Sequence, residues 1–111
     1  MPLGGTVTEV SEIRSEDHLK AKVIDLCKQL GLLVYSIPDS RRMEGSPGFP
    51  DLVIASVDGS GVIFAEIKDQ HGRLSEKQTV WKWALKASGE AWRLWRPSDW
   101  RAIQDELRSI A

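Results

Sequence analysis

Two apolar runs rich in β-branched residues dominate the middle of the chain. They are Gly48-Phe49-Pro50-Asp51-Leu52-Val53-Ile54 and Val62-Ile63-Phe64-Ala65-Glu66-Ile67-Lys68, separated by Asp58-Gly59-Ser60-Gly61. Two such runs around a turn-forming tetrapeptide predict a β-hairpin. Asp51 opens the first strand, and Glu66-Ile67-Lys68 ends the second. The start of one strand and the end of its antiparallel neighbour adjoin. Side chains alternate between faces, so Glu66 and Lys68 point one way and Ile67 the other. Two carboxylates and an ammonium are therefore expected to converge.

The flanking patterns predict the remaining elements. Ser15 is a suitable N-cap, with Glu16 and Asp17 where they complement the helix dipole. Leu19, Val23, Leu26, Cys27 and Leu30 recur at helical spacing, and Gly31 closes this first helix. A strand is expected over 32–37, then a long loop over 38–50 that runs into Asp51; loops of that length in small domains tend to be functional or mobile. Ser75-x-x-Gln78 fits a capping box for a helix over 76–88. Trp81 and Trp83 on that helix cannot both face one sheet. A strand over 91–95 follows, with Trp92 and Leu94 on one face and Arg93 and Trp95 on the other. Pro97-Ser98-Asp99 opens a last helix with the stripe Trp100, Ile103, Leu107 and Ile110.

The predicted order is α-β-β-β-α-β-α. A helix between the third and fourth strands favours a right-handed crossover, hence one parallel pair in an otherwise antiparallel sheet. The expected fold is α/β, a mixed four-stranded sheet flanked by helices. Residues 1–14 read as an N-terminal arm, either flexible or with an edge strand over 6–10, and residues 15–111 as one domain.

Composition narrows the classes. The chain has 111 residues, 41% hydrophobic and 28% charged, which suits one globular domain. A single cysteine, Cys27, excludes an internal disulfide and reads as a buried, inert thiol. Apolar runs fall far short of the roughly 20 residues a membrane helix needs, so an intracellular protein with no membrane partner is expected. A net charge of −1 does not advertise nucleic-acid binding. Basic residues do gather locally: Arg41 and Arg42 in the long loop, then Lys68, Arg73, Lys77, Lys82 and Lys86 against Asp69 and Glu76. A solvated helix face explains such lysines equally well. Five tryptophans beside one tyrosine and two phenylalanines read as core anchors rather than stacking platforms. There is no Cys/His zinc spacing, and His71 reads as a turn or phosphate-contact residue.

The converging Asp51, Glu66 and Lys68 suit a hard divalent cation. Mg²⁺ takes oxygen ligands, keeps several waters, and needs only one or two carboxylates. A lysine beside it can orient water or offset phosphate charge. A charged hairpin end with a solvated ion pair is the plain alternative. The order Pro50-Asp51, turn, Glu66-x-Lys68 resembles the PD-(D/E)xK nuclease superfamily. The continuation Lys68-Asp69-Gln70-His71-Gly72-Arg73-Leu74-Ser75-Glu76-Lys77-Gln78 is similar to its virus-type replication-repair nuclease (VRR-NUC) family, from about Glu16 to the last helix.

That resemblance implies a restriction-endonuclease-like core and a Mg²⁺- or Mn²⁺-dependent DNA endonuclease with no small-molecule cofactor. It implies Asp51, Glu66 and the Ile67 carbonyl as metal ligands and Lys68 as the catalytic cation. It adds Gln78, which the capping box also explains, and Glu16 on the first helix, with Asp17 as rival. Arg41, Arg42, Arg73 and Lys77 are the expected DNA contacts. It further implies a homodimer acting on four-way or flapped DNA. A non-catalytic nucleic-acid-binding module of the same fold is the alternative. So is an interaction domain presenting Trp83 and Met43.

Overall fold

The computed structural model describes residue 13 and residues 15–37 and 44–111. Arg41, Arg42, Met43 and the expected edge strand over 6–10 lie outside the described residues. Helix α1 spans Glu16–Gln29, strand β1 Leu33–Ser36, β2 Leu52–Ala55 and β3 Val62–Ile67. Helix α2 spans Glu76–Ala87 and β4 Ala91–Trp95. A 3₁₀ turn over Pro97–Asp99 leads into α3, Trp100–Ile110. This is the order expected from periodicity. The first strand is one residue shorter at each end than predicted, and α2 stops at Ala87 with Ser88 as its C-cap.

The strands lie in the order β1-β2-β3-β4. β1–β2 and β2–β3 are antiparallel, and β3–β4 is parallel. The parallel pair follows from α2, which carries the chain back so that β4 starts at the same end as β3.

One face of this sheet is dry. Leu52 and Ile54 of β2, Ile63, Ala65 and Ile67 of β3, and Trp95 of β4 meet the apolar stripes of α1 and α3 there. Leu19, Val23 and Cys27 from α1, and Ile103 and Leu107 from α3, have no exposed surface. Full burial of each such aliphatic side chain stabilises by roughly 1.5–3 kcal/mol. Ile13, on the arm side of the boundary drawn from sequence, is buried in this core. Cys27 is buried as expected, and burial pushes its thiol up to about 11.

The other face carries α2, none of whose residues is buried. Trp81 packs edge-on against Phe49, with ring centroids 5.0 Å apart, and Phe49 meets Phe64 of β3 in the same way at 6.0 Å. Lys82 lies 5.4 Å from the Trp92 ring centroid and covers that side of β4. Trp92, Trp95 and Trp100 are the anchors that composition suggested. Trp83 is not: it turns away from Trp81 and the sheet, and 58% of it is exposed.

No helix among the described residues is long and apolar enough to cross a membrane.

Candidate metal and phosphate site

The β2–β3 ladder ends at Leu52↔Ala65, so one step further Asp51 faces Glu66. Asp51 is anchored there: the Ile67 backbone N–H donates to its Oδ2 at 2.8 Å. Thus it is the amide of Ile67 that meets Asp51, while the Ile67 side chain is buried in the dry core. Alternation turns Glu66 and Lys68 to the α2 side of the sheet. Lys68 Nζ stands 3.9 Å from Glu66 Oε2, within electrostatic reach but too far for a hydrogen bond.

Gln78 satisfies both readings of its position. Its Oε1 accepts from the Ser75 N–H at 2.9 Å, and its backbone N–H donates to Ser75 Oγ at 3.1 Å, completing the capping box. Its Nε2 donates to Glu66 Oε2 at 2.9 Å. One amide therefore starts α2 and orients the buried carboxylate.

The segment leading to Asp51 is docked on the same turn of α2. Gly48 has φ +94°, a conformation that favours glycine. A Cβ there would overlap the Lys77 carbonyl and lie 2.7 Å from the Gln78 nitrogen. Only a residue without a side chain lets the Asp51 segment and the Gln78 turn approach so closely.

The electrostatics are strained in one direction. Glu66 is 3% exposed. Burial first, and then the facing Asp51 carboxylate, push its carboxyl from 4.5 up to about 8, against the opposing pull of Lys68. Glu16, half-buried at the start of α1, is also raised, by burial, then Asp69, with Asp51 contributing and Lys68 opposing. Asp17 is exposed. Glu16 lies within the field of Asp51 and Lys68.

Three supporting groups escaped the reading from sequence. Asp69 Oδ1 accepts from the Glu16 N–H at 2.7 Å and so pins the start of α1 beside the end of β3. Arg96 Nη1 donates to the carbonyls of Asp69, Gln70 and Gly72 at 2.8, 3.2 and 2.7 Å. Gln70 and Ser98 exchange two hydrogen bonds, Nε2 to Oγ at 2.9 Å and Ser98 N–H to Oε1 at 3.0 Å. These bonds clamp the turn after Lys68. Partners 24 to 53 residues apart leave no periodic trace. The adjacency of Asp69 to Lys68 was the only signal. Arg73 and Lys77, expected DNA contacts, are exposed on the β3–α2 connection and the first turn of α2. His71 is exposed in the turn.

Among the described residues, no group of three or more His, Cys, Asp or Glu side chains is gathered closely enough to hold a metal ion. The donor set on offer is two carboxylates, Asp51 and Glu66, and that set suits Mg²⁺, which retains much of its water. Their mutual repulsion is the penalty a divalent cation would relieve.

No protein-family model matches the chain, and no curated protein matches it.

Proposed function

We propose that this domain is a Mg²⁺- or Mn²⁺-dependent DNA endonuclease with a restriction-endonuclease-like core, of the virus-type replication-repair nuclease kind, acting on branched DNA. The observation that carries the reading is the convergence of Asp51, buried Glu66, Lys68 and Gln78 where β2 starts and β3 ends. Asp51 and Glu66 would hold the cation. When bound, it supplies Lewis-acid charge to the scissile phosphodiester. The Lys68 ammonium orients water and offsets negative charge that builds on the phosphate. Gln78 holds the Glu66 carboxylate in one rotamer, and Glu16 adds negative potential from α1. Arg73 and Lys77 meet phosphates flanking the cut, with Arg41 and Arg42.

The test is cleavage of matched linear, nicked, flapped and four-way DNA with and without Mg²⁺. Metal-dependent cutting that favours branched forms is expected, and Asp51→Ala should abolish it while far-UV circular dichroism stays unchanged. DNA binding with no cutting in any metal would instead establish the non-catalytic module, a reading favoured by the absence of a third clustered His, Cys, Asp or Glu side chain among the described residues.

The homodimer draws support from the surface. β1 places Leu33 and Tyr35, 59% and 65% exposed, on the α2 side of the sheet beyond the helix, which itself exposes Trp83. Large apolar groups gathered on one side favour a self-complementary contact.

A further inference from the structure

A groove of about 340 Å³ opens next to the carboxylate site, between the Ser46-Pro47 segment and α2, and is lined by Ser46, Pro47, Lys77, Val80, Trp81 and Ala84. Four of these six present apolar surface, and Lys77 is the one charged group. Its position in the fold ties it to the site. Lys77 directly precedes Gln78, which donates to Glu66, and Pro47 precedes Gly48, which is packed on the Lys77 carbonyl.

The groove is preformed. The Trp81 Nε1–H donates to the Ser46 carbonyl at 3.3 Å, linking its two walls. Phe49 braces the Trp81 ring from behind, and Phe64 braces Phe49. Gly48, having no side chain, lets the segment lie directly against the helix. Yet Val80, one of the lining residues, is 66% exposed. A rigid apolar slot left open to water is a ligand site rather than unfinished core.

We propose that this groove receives an unpaired nucleobase of the DNA strand whose phosphate lies at the Asp51–Glu66 site. The inference rests on the endonuclease reading and deepens it by naming the substrate feature selected. Charge chooses the occupant. A single ammonium at the rim of an apolar slot matches a ligand with one planar apolar body and one adjoining phosphate. Stacking on an aromatic wall is tolerant of base identity, which suits recognition of structure over sequence. A paired base would first have to leave its stack, so junctions, flaps and bulges present the preferred form.

Ala84 is exposed at the groove's edge, and enlarging it fills the slot without entering the core. Binding is measured in EDTA, so that no cutting occurs, with a duplex carrying one single-nucleotide bulge, the same duplex with an abasic bulge, and the plain duplex. The wild-type protein should bind the bulged duplex roughly 5- to 150-fold tighter than the plain one, the range for one base–aromatic stack. Ala84→Trp should lose that preference and keep its affinity for plain duplex. The abasic bulge should lose it equally, with no further loss when it is combined with Ala84→Trp. Lys77→Gln should weaken binding to all three. An Ala84→Trp protein that retains the full preference overturns the base site while leaving the endonuclease reading intact, if wild type still cuts with Mg²⁺. An Ala84→Trp protein that changes sedimentation but not DNA preference overturns it in favour of a subunit contact. Absence of binding to every DNA overturns both.

Discussion

The two faces of the sheet are built on opposite principles. The face under α1 and α3 buries apolar side chains from both helices and from β2, β3 and β4, and its one charged pair, Arg93–Glu106 among the described residues, is partly exposed. The face under α2 carries Glu66, Lys68, Gln78, an aromatic ladder and an open groove, and its helix buries nothing completely. A dry, close-packed face accounts for stability, since each apolar group there is fully removed from water. The α2 face spends stability: it keeps a carboxylate buried opposite another carboxylate. Stability concentrated on one side is what allows a strained site on the other.

Substitutions should separate the faces cleanly. The largest expected effect is on the α2 face: Lys68→Ala should slow metal-dependent cleavage by about 10²–10⁴ with little change in melting temperature. Full activity in that variant would remove Lys68 from the chemistry. On the dry face, Ile103→Ala should cost about 2–5 kcal/mol in denaturant unfolding, with cleavage per folded molecule unchanged. Activity falling faster than folded population would mean the two faces are not independent.

The contrast also has a pH signature. Glu66 titrates near 4.5 when unfolded and near 8 when folded, so the folded state holds its proton more tightly. Its contribution to stability is full below about pH 4.5, declines as pH rises, and is gone above about pH 8. Thermal unfolding in EDTA should show that decline, and Glu66→Gln should flatten it. Mg²⁺ should stabilise most at the alkaline end, where the ionised carboxylate is available to it. A flat wild-type profile would mean that Glu66 is not held protonated.

Gly48→Ala probes the seam between loop and helix. The added methyl must push the Asp51 segment off the Lys77–Gln78 turn, at a cost of about 1–3 kcal/mol. Heat of Mg²⁺ binding, measured by calorimetry on the folded fraction, should fall as Asp51 and Glu66 lose their register. Unaltered metal binding would make Gly48 a folding residue only. The smallest effect is expected at Trp83. Trp83→Ser should change monomer stability by less than about 0.5 kcal/mol, as surface substitutions do, but should shift sedimentation equilibrium at micromolar protein towards monomer. A wild-type monomer would leave Trp83 an isolated exposed aromatic.

Much of this was legible from residues alone. Apolar periodicity together with cap and turn signals identified every described helix and strand in order, although α2 and β1 bury none of their residues completely. The turn Asp58-Gly59-Ser60-Gly61 and strand alternation together brought Asp51, Glu66 and Lys68 to one end of a hairpin, since those rules act over a few residues. Ser75-x-x-Gln78 announced a helix start for the same reason. Tertiary structure decided what depends on groups far apart in the chain. It tied the start of α1 to the end of β3 through the Glu16 N–H to Asp69 bond, and it gave Gln78 a second partner in Glu66. It made Gly48 the contact point between the Asp51 segment and α2, and it left Trp83 outside the core. It also recruited Arg96 to close the turn after Lys68. Hydrogen bonds and close packing between distant segments are set by where whole elements dock, and no local pattern of hydrophobic and polar residues carries that geometry.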